Sequence, residues 1–387
     1  MAAMLQSEEA ARRLGIKVAT LYAYVSRGLL VSHPAPDGRR SLFDVEEVER
    51  LVRRTRDSRR VEGRLATVST SLTQLRDDGG PMYRGRAAPD LARDHSFESV
   101  ADLFWESEPG RWEAAPLGPA PTVTQPDRLV WAVLVAAAAD ATRSDLRPEA
   151  VIRAARRVIT TMVAALPLPG PVDLERSEVE PGVAAALAAR LVPNPSPAVV
   201  NAVSAAMVLL IDHELATSTL AVRIAASARA DLYDALLAGL GTVAGPLHGG
   251  ASHLAYALLE AAERDGPERA VDDALRWQRI LPGFGHPIYR AGDPRLPVLL
   301  ARVAEIGDDR AMQLVTAIVE LAAAQQLPEP NVDLGLAAVT YAAGMSSRAG
   351  RSIFTIARVV GWTGHYLEEL RERPLRYRAR AVYVTGS

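Results

Sequence analysis

The chain of 387 residues contains no cysteine. Disulfides, thiolate metal sites and cysteine nucleophiles are therefore excluded. It contains a single lysine, Lys17, close to its start. That excludes a Walker-type phosphate loop and a Schiff-base lysine from the rest of the chain. Aromatic residues make up only 5%, and alanine dominates a hydrophobic fraction of 49%. Such a composition favours helix over sheet. No apolar run approaches the eighteen or so residues of a membrane span, because Arg and Asp interrupt every alanine-rich stretch. The opening MAAMLQSEEAARRL lacks a signal-peptide pattern. A soluble, cytoplasmic protein with no membrane partner is expected.

Charge is unevenly spread. Residues 1–60 carry twelve Lys/Arg against eight Asp/Glu, a net of +4, and the overall −2 then leaves −6 on the remainder. A basic head on an acidic body fits a nucleic-acid-facing module. Within the head, Ser7 can cap a helix over 8–14 that Gly15 stops. A second helix is expected over 18–28, then a turn-rich loop at 32–40. Asp44 and Glu47 are spaced as a capping box for a third helix reaching about Arg56. Two short helices around a glycine turn form a helix-turn-helix pattern. The segment EEAARRLGIKVATLYAYVSRGLL…DGRRSLFDVEEVERL resembles the MerR/excisionase-like winged helix-turn-helix. That resemblance implies DNA contacts from Thr20, Tyr22, Tyr24 and Arg27, with Arg39 and Arg40 on the wing. A regulatory or protein-docking remnant is the competing reading.

Residues 57–62 read as a charged linker, and 65–83 as a small hairpin. Beyond residue 120, proline-rich connections alternate with helical runs, among them 128–142, 148–165, 198–212 and 309–325. The body is expected to be nearly all α.

Three glycine-bracketed motifs hold the chemistry: GPLHGG around His248, GFGHPIYRAGDPR around His286, and PNVD ending at Asp333. His248 precedes an apolar-periodic run. A place at a helix N-terminus would keep its imidazole neutral, able to donate to a developing enolate oxygen. His286 shares a rigid loop with Arg295 nine residues on. The pair suits a keto acid, His to the carbonyl and Arg bidentate to a carboxylate. Asp333 could serve as a general base on a weakly acidic C–H, or simply cap the helix that follows. His213 lies between Asp212 and Glu214. Neighbouring residues on a helix do not converge, so a carboxylate-binding role is preferred to a metal site there, and no metal is expected.

DHELATST, GPLHGG, GFGHPIYRAGDPR and PNVD, with MYRGRAAPDLARDHSFESVADLFW at 82–105, together resemble citrate synthase over roughly residues 63–387. The resemblance implies an all-α, two-domain helical body, with a small mobile subdomain near 225–328, assembled as a homodimer. It implies no cofactor, since the CoA thioester is itself a substrate. In the implied mechanism Asp333 deprotonates acetyl-CoA, His248 stabilises the enol and His286 polarises the ketone of oxaloacetate. His213, Arg295 and Arg358 would hold oxaloacetate, with Arg380 (or Arg378) reaching in from the partner's tail. Citryl-CoA would then hydrolyse to citrate and CoA, the reaction that feeds the tricarboxylic acid cycle. The chain departs from the family pattern in the LGLAA that follows Asp333, in Ala216 and in the lack of a proline before Arg380. Two other readings stay open: a 2-methylcitrate synthase using propionyl-CoA, and a DNA-binding metabolite sensor with a non-catalytic body.

Overall fold

The computed structural model describes residues 4–14, 18, 21–22, 25, 30–35, 41–45, 47–48, 67–76, 79–119, 121–122, 125–169, 182–245, 249–278 and 280–377. The chain divides into two compact units, 1–69 and 70–387.

The first unit pairs β1 (Met4–Gln6), β2 (His33–Pro34) and β3 (Ser41–Asp44) antiparallel in the order β1-β3-β2, with Leu5 opposite Phe43 and His33 opposite Leu42. Helix α1 (Ser7–Leu14) follows β1 directly. Its Ala10, Ala11 and Leu14 bury with Leu5, Leu21, Leu30, Phe43 and Val48 into one small core. Phe43 is the buried residue of β3, and β2 falls where a turn-rich loop was expected over 32–40. The expected capping box is half formed. Asp44 Oδ1 accepts from Glu47 N at 3.4 Å, but the Glu47 carboxylate accepts from Val31 N at 3.2 Å and so ties the neighbouring segment down.

The second unit opens with a three-stranded antiparallel sheet, β4 (Thr73–Arg76), β5 (Gly80–Tyr83) and β6 (Arg86–Ala87), in sequence order. Helices follow: α2 (Ala88–Asp94), α3 (Phe97–Trp105), α4 (Gln125–Ala138), α5 (Pro148–Ala165), α6 (Val183–Leu191), α7 (Pro197–Leu210), α8 (Thr217–Ser227) and α9 (Leu232–Val243). Then come α10 (Ala251–Asp265), α11 (Pro267–Gln278), α12 (Leu296–Ile306), α13 (Asp309–Ala324), α14 (Val332–Ala342) and α15 (Ala349–Leu370). Starts coincide with local signals. Ser96, Ser196, Asp231 and Asp308 cap α3, α7, α9 and α13 through their side chains, and proline opens α5, α7 and α11.

Helix α15 runs through the centre, against α3, α5, α7, α8, α9, α10 and α14. It is apolar on nearly every face, and Ile353, Ile356, Val360, Trp362 and Tyr366 are fully buried. A helix with no polar face is a core helix. Among its polar side chains, the charged or ionisable Arg358, His365 and Glu369 are buried. Among the described residues no helix is long and apolar enough to cross a membrane.

Candidate active site

Four elements converge on the site: the turn after α7 with His213, the loop 281–295, the start of α14 and the middle of α15. Loop and helix are zipped together by backbone. Gly285 N donates to Glu329 O at 2.7 Å, Asn331 N to Gly283 O at 2.9 Å, and Asn331 Nδ2 to Gly285 O at 2.8 Å. Gly283 and Gly285 stand at φ +82° and +78°, a region costly to residues with a Cβ. A Cβ on Gly283 would also lie 2.9 Å from that of Leu334. The glycines before His286 thus serve the closure of the loop onto α14.

His286 is half-buried, and its Nδ1 accepts from the N–H groups of Ile288 (3.1 Å) and Tyr289 (3.2 Å). Two donors on Nδ1 leave the proton on Nε2, so the neutral ring presents an N–H donor outward. Burial, then the nearby Arg295, keep its pKa below the ordinary histidine value. His213 meets it edge to face, ring centroids 5.1 Å apart. Burial, then Arg295 and Arg358, push the His213 pKa down to about 2, so this ring is also neutral. Its Nε2 is buried with no hydrogen-bond partner among the described residues.

Two arginines share the site, differently placed. Arg295 is buried and bidentate to Asp293, Nε–Oδ1 2.9 Å and Nη2–Oδ2 2.8 Å. Asp293 also accepts from Val332 N at 3.0 Å, which fastens Arg295 to the first turn of α14. Burial works against an ionised Asp293, but Arg295 and these N–H donors hold its pKa below the usual carboxylate range. Asp293 was missed in the sequence, although it lies within the quoted GDPR motif. Arg358 is equally buried, and its Nε and Nη1 have no hydrogen-bond partner among the described residues; its guanidinium stands 4.7 Å from the Phe354 ring centroid.

Asp333 proves not to be the cap of α14. Asn331 is, accepting from Asp333 N at 2.9 Å. The Asp333 carboxylate makes no hydrogen bond to any described residue. Burial raises its pKa to about 6, against the lowering pull of Arg295 and Arg358. The LGLAA that follows is absorbed by packing. Leu334, Leu336, Ala337 and Ala338 are buried, and Gly335 lies where a Cβ would crowd Leu296 and Leu299.

The structure thus brings His213, His286, Arg295, Asp333 and Arg358 together. His248, Arg378 and Arg380 lie outside the described residues. Beside His248, a Cβ on Gly249 would collide with the Val243 carbonyl, so that glycine is needed for packing at the turn into α10. In the first unit, Thr20, Tyr24, Arg27, Arg39 and Arg40 are likewise outside. Tyr22 is exposed, its hydroxyl 3.0 Å from Ser7 Oγ and its ring edge-on to Phe43. Among the described residues no three His, Cys, Asp or Glu converge as metal ligands.

Fold and site define a mostly helical enzyme with buried arginines beside a carboxylate of raised pKa. Residues 116–380 match the family model for the citrate synthase C-terminal domain, and the chain belongs to the citrate synthase family, an acyltransferase family. Residues 4–56 match a helix-turn-helix domain model. Citrate synthase 2 of Bacillus subtilis is 28% identical over 84% of this chain and 95% of its own length. The 2-methylcitrate synthase of Mycobacterium tuberculosis is 28% identical over 74% of this chain and 80% of its own length. The fold is that of the Thermotoga maritima citrate synthase structure, with TM-score 0.66 and 24% identity over 84% of this chain and 96% of that one. The ternary complex of Thermoplasma acidophilum citrate synthase with carboxymethyl coenzyme A and oxaloacetate gives TM-score 0.64 at 23% identity, covering 85% of this chain and 96% of that one.

Proposed function

We propose that the protein condenses acetyl-CoA with oxaloacetate and hydrolyses the resulting citryl-CoA to citrate and CoA. The observation that carries this reading is Arg358, a buried guanidinium with two unpartnered nitrogens beside His213, Arg295 and Asp333. Asp212 and Asp333 act on this charge from nearby, but no described carboxylate hydrogen-bonds the unpartnered nitrogens. A dianionic keto acid supplies those hydrogen bonds. Asp333 then takes the methyl proton of the thioester. A carboxylate with pKa near 6 is ionised at neutral pH, yet basic enough for that work. His286, with its proton on Nε2, donates to the ketone oxygen and stabilises the alkoxide that forms when the enol attacks. His248 is assigned the same service to the enol oxygen, and Arg380 or Arg378 the role of a cation shared across a homodimer. A small subdomain spanning 225–328 would close over the bound substrates.

The 2-methylcitrate synthase among the relatives supports propionyl-CoA as a second acyl donor, since one methylene is worth only about 1–3 kcal/mol of discrimination. The helix-turn-helix unit supports DNA contact, with Arg27, Arg39 and Arg40 toward phosphate. CoA release from acetyl-CoA and from propionyl-CoA, each with oxaloacetate, tests the enzyme reading. Turnover is expected with acetyl-CoA at least, and no turnover with either overturns it. A mobility-shift series across salt tests the head: binding that weakens steeply with salt is expected, and absent or salt-insensitive binding rejects phosphate contact.

A further inference from the structure

Tyr289 takes no part in the mechanism above, yet it touches three of the residues assigned to it. Its ring stacks on His286 with centroids 4.5 Å apart and planes 20° from parallel. It meets His213 at 5.7 Å with planes 85° apart, and the Arg295 guanidinium lies 5.4 Å from its centroid. Its backbone N–H is one of the two that donate to His286 Nδ1. The residue is only 1% exposed. Its hydroxyl is buried with no partner among the described residues, and burial raises its pKa to about 12, so the proton stays on.

Each contact constrains a different degree of freedom. The N–H bonds fix which nitrogen of His286 carries its proton. The stacked ring fixes the plane of the imidazole, and hence where Nε2–H points. The contacts with His213 and Arg295 set the spacing between two ligand-binding groups and the polarising one. A group that must meet a ketone oxygen within hydrogen-bond reach loses effect steeply when misaimed, by up to about 10²-fold for 1 Å. Nothing in these contacts uses the hydroxyl. A buried hydroxyl without a partner contributes no net stability and can be replaced by hydrogen at little or no cost.

We infer that Tyr289 is a positioning residue for the condensation, acting through its ring and main chain to aim the Nε2–H of His286 at the keto group, with its hydroxyl dispensable. The inference rests on the citrate synthase reading for the reaction, but the imidazole geometry can be tested without it.

Three proteins decide the matter: wild type, Tyr289→Phe and Tyr289→Leu. Steady-state kinetics with acetyl-CoA and oxaloacetate should leave Tyr289→Phe within about twofold of wild type. Tyr289→Leu should lose about tenfold or more, mostly in kcat, because it misaims a group that acts most strongly in the transition state. A loss in Tyr289→Phe as large as in Tyr289→Leu would put the hydroxyl on the reactants and overturn the proposal. So would a Tyr289→Leu enzyme with unchanged kcat. Nitrogen-15 chemical shifts of the His286 ring supply the second readout. Wild type and Tyr289→Phe should show the Nε2–H tautomer. Tyr289→Leu keeps both main-chain N–H donors and so the same tautomer, but its His286 pKa should return toward the ordinary value, since the stacked ring that excludes water is gone. A wild-type ring protonated on Nδ1 overturns the inference even if Tyr289→Leu fails to fold. If wild type lacks turnover but shows the expected tautomer, the enzyme reading fails while the positioning of His286 stands.

Discussion

Helix α15 buries two polar clusters, and they are balanced differently. Near its C-terminal end Arg223, from α8, is fully buried with Nε 3.0 Å from Glu369 Oε2 and Nη1 2.9 Å from Glu368 Oε2. Arg376 closes on Glu369 through two bonds of 2.7 and 2.6 Å, and Tyr377 adds a third at 2.9 Å. His365 bridges Arg223 Nη1 at 2.8 Å to Asp212 Oδ2 at 3.3 Å. Two arginines face two glutamates, and each cation has a carboxylate. Two turns earlier on the same helix, Arg358 has none at hydrogen-bond distance among the described residues. Equal burial with unequal pairing separates a cluster that holds the fold from one that waits for a ligand. At the first the carboxylates hydrogen-bond their cations; at the second Asp212 and Asp333 act on Arg358 only at a distance, and a hydrogen-bonding anion must come from outside.

The contrast makes the two clusters respond differently to substitution. The largest effect is expected at Asp333. Asp333→Asn should lower kcat by about a thousandfold or more, as removal of the base of a C–H abstraction does, with oxaloacetate affinity nearly unchanged. Its melting temperature should hold or rise, because the neutral amide escapes the burial that raises the carboxyl pKa. Stopped or steady-state CoA release together with calorimetry checks both parts. Lost affinity would make Asp333 structural and blur the distinction between the clusters.

Next comes Arg358→Met, expected to raise KM for oxaloacetate about a hundredfold, the loss of a charge-assisted contact to a buried carboxylate. In the paired cluster the pattern inverts. Glu369→Gln strips the shared counter-charge from Arg223 and Arg376 and should cost about 3–5 kcal/mol of stability, read by urea denaturation. KM and kcat of the surviving folded enzyme should stay within about threefold of wild type, the ordinary scale of indirect effects.

The smallest effect is in the pH dependence. Asp333 must be ionised to act, so kcat/KM should climb with pH and reach half its plateau near pH 6. The stability linkage has the opposite sign. Folding raises this pKa above its unfolded value, so the group's contribution is full below about pH 4 and is lost as pH rises through about 6. Unfolding free energy measured over that window should fall in wild type relative to Asp333→Asn. A profile flat through pH 6 would remove the distinction drawn for this carboxylate.

The helical framework was legible because alanine-rich periodicity and punctuation by Ser, Asp and Pro coincide with the observed starts: 148–165 matches α5 in full, and 309–325 misses α13 by one residue. The short strands β1 and β2 were not legible. Two or three residues carry no period, and their pairing depends on β3, some thirty residues from β1. Within the site, the polar identities stood in the motifs but their partners did not. Nothing in GDPR says that Asp293 turns back onto Arg295 while also holding α14. The cap was readable: Asn331 is as good an N-cap as Asp333 and stands two residues earlier, which frees the aspartate. The pairing of His365 with Asp212 joins residues 153 apart and has no local signal at all.

The claim that Arg358 is left unpaired for a substrate is tested most directly by the thermal stability of Arg358→Met with and without oxaloacetate. At a hundredfold excess over Kd, oxaloacetate should stabilise wild type by about 2.7 kcal/mol. Without ligand, Arg358→Met should melt at or above wild type, since a buried cation with no hydrogen-bonded counter-ion among the described residues has been removed, and oxaloacetate at the same concentration should raise it little. A variant that melts well below wild type in the absence of ligand, yet still gains the full stabilisation from oxaloacetate, would make Arg358 a structural residue and contradict the account.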